Sequence, residues 1–273
     1  MVCLEVLEDI ELLGQPVVKF TVSSDKPLAN LSIRLVDIYP DSGEHVLISW
    51  GSLNLTHRKS HEFPEPLTPG EKYDIEIPLD VLGIKLVKNH KLRVALSTCD
   101  WPQTWPSAET PTLNLFKGEL VLPLVNEEQV VKSPEFAEPT IMKGIKTEAM
   151  KPFDRVKNVT FDYPNNAWTM VDTQDGGQVK IPDFGDASGI YHGECNTNIW
   201  KIKVGDPLSA YNECNWTYHM GREEDNWEIR FDNSSKLSAD KENFHLVNHI
   251  KAYENEELVF EKVFDDVIPR QFI

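Results

Sequence analysis

The chain has 273 residues, 40% hydrophobic and 26% charged, which fits a folded protein of one large or two modest domains. Its formal charge of −17 repels phosphate backbones and anionic headgroups, so neither nucleic acid nor a membrane is expected as a partner. Four scattered cysteines, Cys3, Cys99, Cys195 and Cys214, are too few for a disulfide scaffold, and no apolar run reaches the roughly 18 residues of a spanning helix.

The N-terminal stretch MVCLEVLEDIELLG carries acids inside its apolar run and no basic flank, so it does not read as a signal peptide. A cytoplasmic protein is the expectation, and the N-x-S/T triplets opened by Asn30, Asn54, Asn158, Asn215 and Asn233 then read as chance matches. From there alternation dominates. Val18, Phe20 and Val22 alternate with polar neighbours, as do Leu31, Ile33 and Leu35, then Tyr73, Ile75, Ile77 and Leu79, then Leu92, Val94 and Leu96, then Leu113 and Leu115. A period of two buries one face and wets the other, the pattern of antiparallel strands. Turn signals separate the runs at Pro40-Asp41-Ser42-Gly43, from Pro66 to Gly70 and at Lys88-Asn89-His90. The segment from Leu79 to Leu86 leaves room for a short helical turn.

Residues 126–155 carry three prolines and many charges and read as a linker or surface strap between two β regions, 1–125 and 156–273. Beyond them Val159 and Phe161 begin a strand, and Trp168, Met170 and Val171 another. Asp175-Gly176-Gly177 is expected to be a hairpin turn ahead of Val179 and Ile181. Trp200, Ile202 and Val204 alternate, then Trp216 with Tyr218, then Trp227, Ile229 and Phe231. The tail from Phe244 to Phe264 reads as a hairpin turning at Glu254-Asn255-Glu256. The fold class is therefore all-β: an antiparallel β-sandwich of jelly-roll type followed by a second antiparallel β region.

Chemistry is sparse. There is no G-x-S-x-G elbow, no P-loop, no H-E-x-x-H and no dinucleotide fingerprint, and no cofactor is expected. Four residues have a metal-like composition: His192 and Cys195, three apart, and Cys214 and His219, five apart. Two Cys and two His can hold zinc tetrahedrally, but this spacing is not that of a zinc finger, and buried cysteines with satisfied histidines are the plainer reading. His57 and His61 flank Arg58 and Lys59, an arrangement that suits either an anion or a solvated loop. Asp100, between Cys99 and Trp101, reads as a turn residue or as a support for a catalytic histidine.

Several segments in order resemble the serine hydrolases related to X-Pro dipeptidyl-peptidase and cocaine esterase. Residues 90–107, HKLRVALSTCDWPQTWPS, resemble that family's G-H-R-L-R-L-A-I-S-T-S-Y-W-P followed by W-P-S-P. Upstream, EDIELLGQPVVKF, SSDKPLA and RLVDIYPDSGE are similar to its E-D-x-E-I-L-G-x-P, S-S-D-x-P and R-L-x-D-x-x-P-D-G segments. GSLNLTHRKS and PEPLTPG follow the same pattern, as do GDPLSA at 205–210 and the closing VIPR. The chain departs from the family where Cys99 and Asp100 stand for Ser and Tyr, and where Ala108 stands for Pro.

The resemblance implies a non-catalytic C-terminal portion: a jelly roll lacking its first strands, which follows an α/β-hydrolase catalytic domain and helps to wall its cleft. The implied partner is that catalytic domain, in the same parent chain or as a separate chain, and no catalytic residue is carried over. Pro102 and Pro106 stiffen a loop bearing Trp101 and Trp105, which suits a packed core edge or an interface. Asp100, Trp101, Trp105 and His57 are the candidate contacts with the catalytic domain. The competing expectation is a free-standing jelly-roll module that binds carbohydrate or protein, motivated by seven tryptophans able to stack on sugar rings.

Overall fold

The computed structural model describes residues 2–125 and 134–273. It forms two compact units, Met1–Phe136 with Gln271–Ile273, and Ala137–Arg270. Both are antiparallel β structures.

The first unit is built from β1 (Val2–Glu5), β2 (Ile10–Gly14), β3 (Val17–Ser24), β4 (Asn30–Ile38), β5 (His45–Asn54), β6 (Tyr73–Pro78), β7 (Leu82–Leu86), β8 (Lys91–Ser97) and β9 (Leu113–Val121). One sheet has the order β1-β8-β4-β5 and another β6-β3-β9, while β2 pairs with β7. After β9 the chain bridges Leu124 to Leu12, and the Leu13 N–H donates to the Pro123 carbonyl at 3.0 Å, so β9 runs on into the β2–β7 pair. The alternating residues of each strand meet between the layers. Leu31, Ile33 and Leu35 of β4 and Leu92 and Val94 of β8 form one buried cluster with Val18, Val22, Ile75, Ile77, Leu12, Leu82 and Leu86. Each such side chain contributes about 1.5–3 kcal/mol of burial, which makes this sandwich the hydrophobic heart of the chain.

The stretch from Leu79 to Leu86, which left room for a short helical turn, holds strand β7. Leu82, Ile84 and Leu86 fit a period of two as well as a helical spacing, and pairing with β2 from Leu82↔Gly14 to Leu86↔Ile10 decides for the strand. Gly51 of β5 marks a close approach: a Cβ there would sit 2.9 Å from the Pro78 carbonyl oxygen. The Asp80 N–H donates to the Trp50 carbonyl at 2.8 Å beside it.

The second unit contains β10 (Glu148–Lys151), β11 (Asp154–Asp162), β12 (Ala167–Lys180), β13 (Ile190–Lys203), β14 (Asp206–Arg222), β15 (Trp227–Ala239), β16 (Asn243–Glu254) and β17 (Glu257–Pro269). They form one sheet in chain order from β12 to β17, with β10 and β11 sharing the far side of β12. Of the stretch read as a linker, 126–133 lies outside the described residues. Residues 134–147 are exposed chain without a strand, and β10 and the start of β11 occupy the rest.

Asp175-Gly176-Gly177 is not a hairpin turn. β12 passes straight through it, and a β-bulge absorbs the glycines between Asp175 and Gly177. Gly177 takes φ +75° and donates its N–H to Asp175 Oδ1 at 3.0 Å. The bulge satisfies the same conformational preference that a turn would. The expected turn at Glu254-Asn255-Glu256 does form, with Asn255 and Glu256 both at positive φ.

Register separates the two faces of this sheet. One carries Trp168, Trp200, Trp216, Tyr218 and Phe231; the other carries rows such as Thr173–Thr197–Asn215–Ser234. The buried hydrophobic cluster of the chain lies in the first unit, and the strands of the second are mostly half-buried. Many of its aromatics are accordingly half-exposed, Trp168, Trp216 and Phe231 among them.

Candidate functional site at the tryptophan–proline loop

The loop after β8 folds back over the outer face of β4. Ile33 and Leu35 point into the core, so Arg34 between them points outward, where its Nη2 donates to Asp100 Oδ1 at 2.5 Å. At the start of the same strand, Asn30 Nδ2 donates to the Trp105 carbonyl at 3.3 Å. Ser32, between these two anchors on the outward side of the strand, is only 3% exposed and is flanked by Ser52 and Ser97. Within the loop the Thr104 N–H donates to the Asp100 carbonyl at 2.9 Å, and Ser97 Oγ bridges the Cys99 N–H and carbonyl.

Asp100 is 9% exposed, and its Oδ2 is buried with no partner among the described residues. Trp101 and Trp105 are half-buried and meet edge to face, ring centroids 5.1 Å apart at 83°. Their quadrupoles favour that geometry, so each ring fixes the other. The result is a stiff loop that leaves part of two indoles facing outward.

Asp100, Trp101 and Trp105 are therefore one constellation. His57 belongs to a different local structure at the same end of the sheet. It closes a 3₁₀ turn, Leu55–His57, capped by Asn54, whose Oδ1 accepts from the Thr56 N–H at 3.1 Å. Asn54 is the cross-strand partner of Asn30, which holds Trp105. The His57 ring lies against His61, Nδ1 to Nδ1 at 3.3 Å. Arg58 does not join them in holding an anion. Its side chain is 6% exposed, donates to the carbonyls of Leu55, Glu65 and Pro66, and lies 4.3 Å over the Tyr73 ring. Lys59 pairs with Glu65 at 2.8 Å.

The four residues weighed for zinc are not brought together. No bulge interrupts β13 between His192 and Cys195, or β14 between Cys214 and His219, so the odd spacings put each pair on opposite faces. His192 and Cys214 share the aromatic face, and Cys195 and His219 the polar one. His219 lies against Gly193, where a Cβ would come 3.0 Å from its ring, and its Nε2 is 3.1 Å from Gln178 Nε2. Burial pushes the Cys214 thiol up from its ordinary pKa, which disfavours the thiolate a metal would need.

The anchors Arg34 and Asn30 were not readable as loop partners. The alternation of β4 shows only that both point outward, and the acid and carbonyl that reach them come from a loop more than 60 residues later.

The sequence family described as the X-Pro dipeptidyl-peptidase C-terminal non-catalytic domain matches residues 4–145. A protein of Rhodopirellula baltica named "Putative Xaa-Pro dipeptidyl-peptidase" is 29% identical over 128 residues, 44% of this chain and 20% of that protein. The chain thus spans about a fifth of the length of that relative. Among solved structures, an aminopeptidase of a marine-sediment Thaumarchaeota archaeon aligns with TM-score 0.43 and 16% identity over 45% of this chain and 25% of that one. An α-amino acid ester hydrolase aligns with TM-score 0.43 and 17% identity, over 45% and 24%. A CocE/NonD family hydrolase of Staphylococcus aureus gives TM-score 0.38 and 20% identity, over 45% and 30%. The family match favours a hydrolase's accessory portion over a free-standing binding module. It runs from within β1 through β9 and stops before β10, covering just over half of the 273 residues. The chain belongs to the family of X-Pro dipeptidyl-peptidase C-terminal non-catalytic domains.

Proposed function

We propose that the chain works as the non-catalytic portion of a serine hydrolase that cleaves esters or Xaa-Pro peptide bonds, and that it docks on an α/β-hydrolase catalytic domain through the tryptophan–proline loop. The family match carries the assignment, and the stiff loop supports its placement. Two half-buried tryptophans held at both ends to β4 are suited to an interface anchor, because little side-chain freedom remains to be lost on docking. The chain lacks the G-x-S-x-G elbow, so its part is to stabilise and shape a cleft. Cytoplasmic residence belongs to this proposal, supported by four unbridged cysteines.

The test has two arms. The purified chain, offered activated esters and Xaa-Pro anilides, is expected to show no saturable turnover. An α/β-hydrolase domain from the same organism, carrying the elbow and supplied in trans, is expected to bind it. Trp101→Ala with Trp105→Ala should weaken that binding about tenfold or more while circular dichroism stays unchanged. Turnover by the chain alone, or binding indifferent to both substitutions, overturns the reading.

A further inference from the structure

Strand β17 is the long free edge of the second sheet. Its 13 residues pair with β16 on one side, and among the described residues no strand follows it on the other. The opposite edge is divided between β10, of four residues, and β11, of nine. An exposed edge presents a row of N–H and C=O groups able to accept another strand. The bulge in the β16–β17 ladder lies between Ala252 and Tyr253, so from Phe260 onward β17 alternates without interruption. Phe260, Lys262, Phe264, Asp266 and Ile268 share the aromatic face of the sheet, and Glu261, Val263, Asp265 and Val267 the polar face. Phe260, Val263, Phe264, Val267 and Ile268 are all exposed.

We infer that two copies of this chain pair antiparallel through β17, centred on Phe264, to make one continuous sheet. A second copy related by a two-fold axis normal to the sheet keeps the aromatic faces on the same side, and residues directly opposite must then have the same parity. Centring the ladder on Phe264 sets Phe264 against its twin, Lys262 against Asp266 twice and Phe260 against Ile268 twice. On the other face Glu261 meets Val267, and Val263 meets Asp265. No acid faces an acid.

The neighbouring registers all fail on charge. A centre at Glu261, Lys262, Asp265 or Asp266 sets that residue against its own copy. A centre at Val263 sets Glu261 against Asp265 twice. Like charges directly opposite destabilise a strand pair, and unlike ones stabilise it. Within one copy Lys262 lies 4.4 Å over the Phe264 ring, and among the described residues it has no carboxylate partner. The pairing supplies one. Because the contact is isologous, it closes at two copies; joining β17 to the β10–β11 edge would instead build an open-ended array. The charges on β17 could also act simply as guards against any pairing. The charge pattern decides between these uses, because a pure guard has no need of a register that pairs the whole run from Phe260 to Ile268 with every charge matched or facing an apolar residue.

The experiment is sedimentation velocity on the full chain over a concentration series, with circular dichroism to check folding. The expected result is a reversible dimer of twice 31.2 kDa, weakened by salt. Lys262→Asp and Asp266→Lys should each raise the dimer dissociation constant about tenfold or more, since each turns two attractive pairs into two repulsive ones. The double variant K262D/D266K should restore dimerisation, and an equimolar mixture of the two single variants should form mixed dimers, because their charges are again complementary. A chain that stays monomeric throughout overturns the proposal. So does a dimer that tolerates both single substitutions, or a folded double variant that does not recover. The docking proposal concerns a loop of the other unit and stands or falls separately.

Discussion

Asp240 shows how one carboxylate can close a turn. Its Oδ1 accepts the N–H groups of Glu242 and Asn243, both at 2.7 Å, and its Oδ2 lies 2.8 Å from His245 Nε2. The Glu242 N–H, then His245, then the Asn243 N–H hold its carboxyl at about 2, below the ordinary 3.8. Because the folded value is depressed, the stabilisation is complete above the ordinary value and is lost as pH falls from about 4 to about 2. Asp240→Asn is therefore expected to melt below the wild type at neutral pH, and the gap in Tm should close as the pH approaches 2; a gap that persists at pH 2 would contradict this assignment. Asp100 differs in kind. It uses one oxygen on Arg34 and buries the other with no partner among the described residues. A buried acceptor left unmet costs about 1–3 kcal/mol.

At the level of elements, the bulge in β12 is the clearest test of backbone conformation. Gly177 sits at φ +75°, and a Cβ there would clash with the Lys151 carbonyl oxygen and come 2.9 Å from the Pro152 carbonyl carbon. Gly177→Ala is expected to cost about 1–3 kcal/mol or more in urea unfolding, whereas Gly43→Ala, also at positive φ but with open space around it, should cost less. The same residue marks where sequence reading went astray. Asp-Gly-Gly signals a need for positive φ, and a turn and a bulge meet that need equally well, so only the pairing of β12 with β13 distinguishes them. The sandwich was legible because burying one face imprints a period of two on residues such as Leu31, Ile33 and Leu35. The second sheet was legible only in part. Runs such as Cys195-Asn196-Thr197-Asn198 and Asn212 to Asn215 are largely polar on both parities, because the buried aliphatic cluster takes in no residue of this sheet, and strands of 14 and 17 residues hid within them. The zinc grouping could have been dismissed from the sequence, since three and five are odd numbers and odd spacings within a strand point to opposite faces.

At the scale of the whole molecule, the two units draw on different sources of stability. The sandwich rests on its buried aliphatic cluster and is expected to unfold as one cooperative step. The second unit rests on ladder hydrogen bonds and side-chain pairs: Thr173–Thr197 at 3.1 Å and Tyr191 Oη on Glu228 at 2.6 Å between strands, and Tyr211 Oη on Glu213 at 2.7 Å within β14. Glu228 accepting that bond is the main reason the Tyr191 hydroxyl is pushed up to about 12, which keeps it a donor across the physiological range. From β13 to β17 each strand shares its backbone ladder with only the strand before it and, short of the edge, the strand after it, and few side chains such as Tyr191 reach further. Such an array has no centre in which all parts meet, so its statistics are those of a linear chain of coupled neighbours. Opening at an end breaks one interface, while opening in the middle breaks two. Amide hydrogen exchange should therefore slow stepwise from β17 inward, with β13 and β14 slowest, and should not report one shared opening energy. Uniform protection from β13 to β17 would refute this. A dimer joined at β17 would move that strand from the end of the line to its midpoint, and the frayed edge would become its most protected segment.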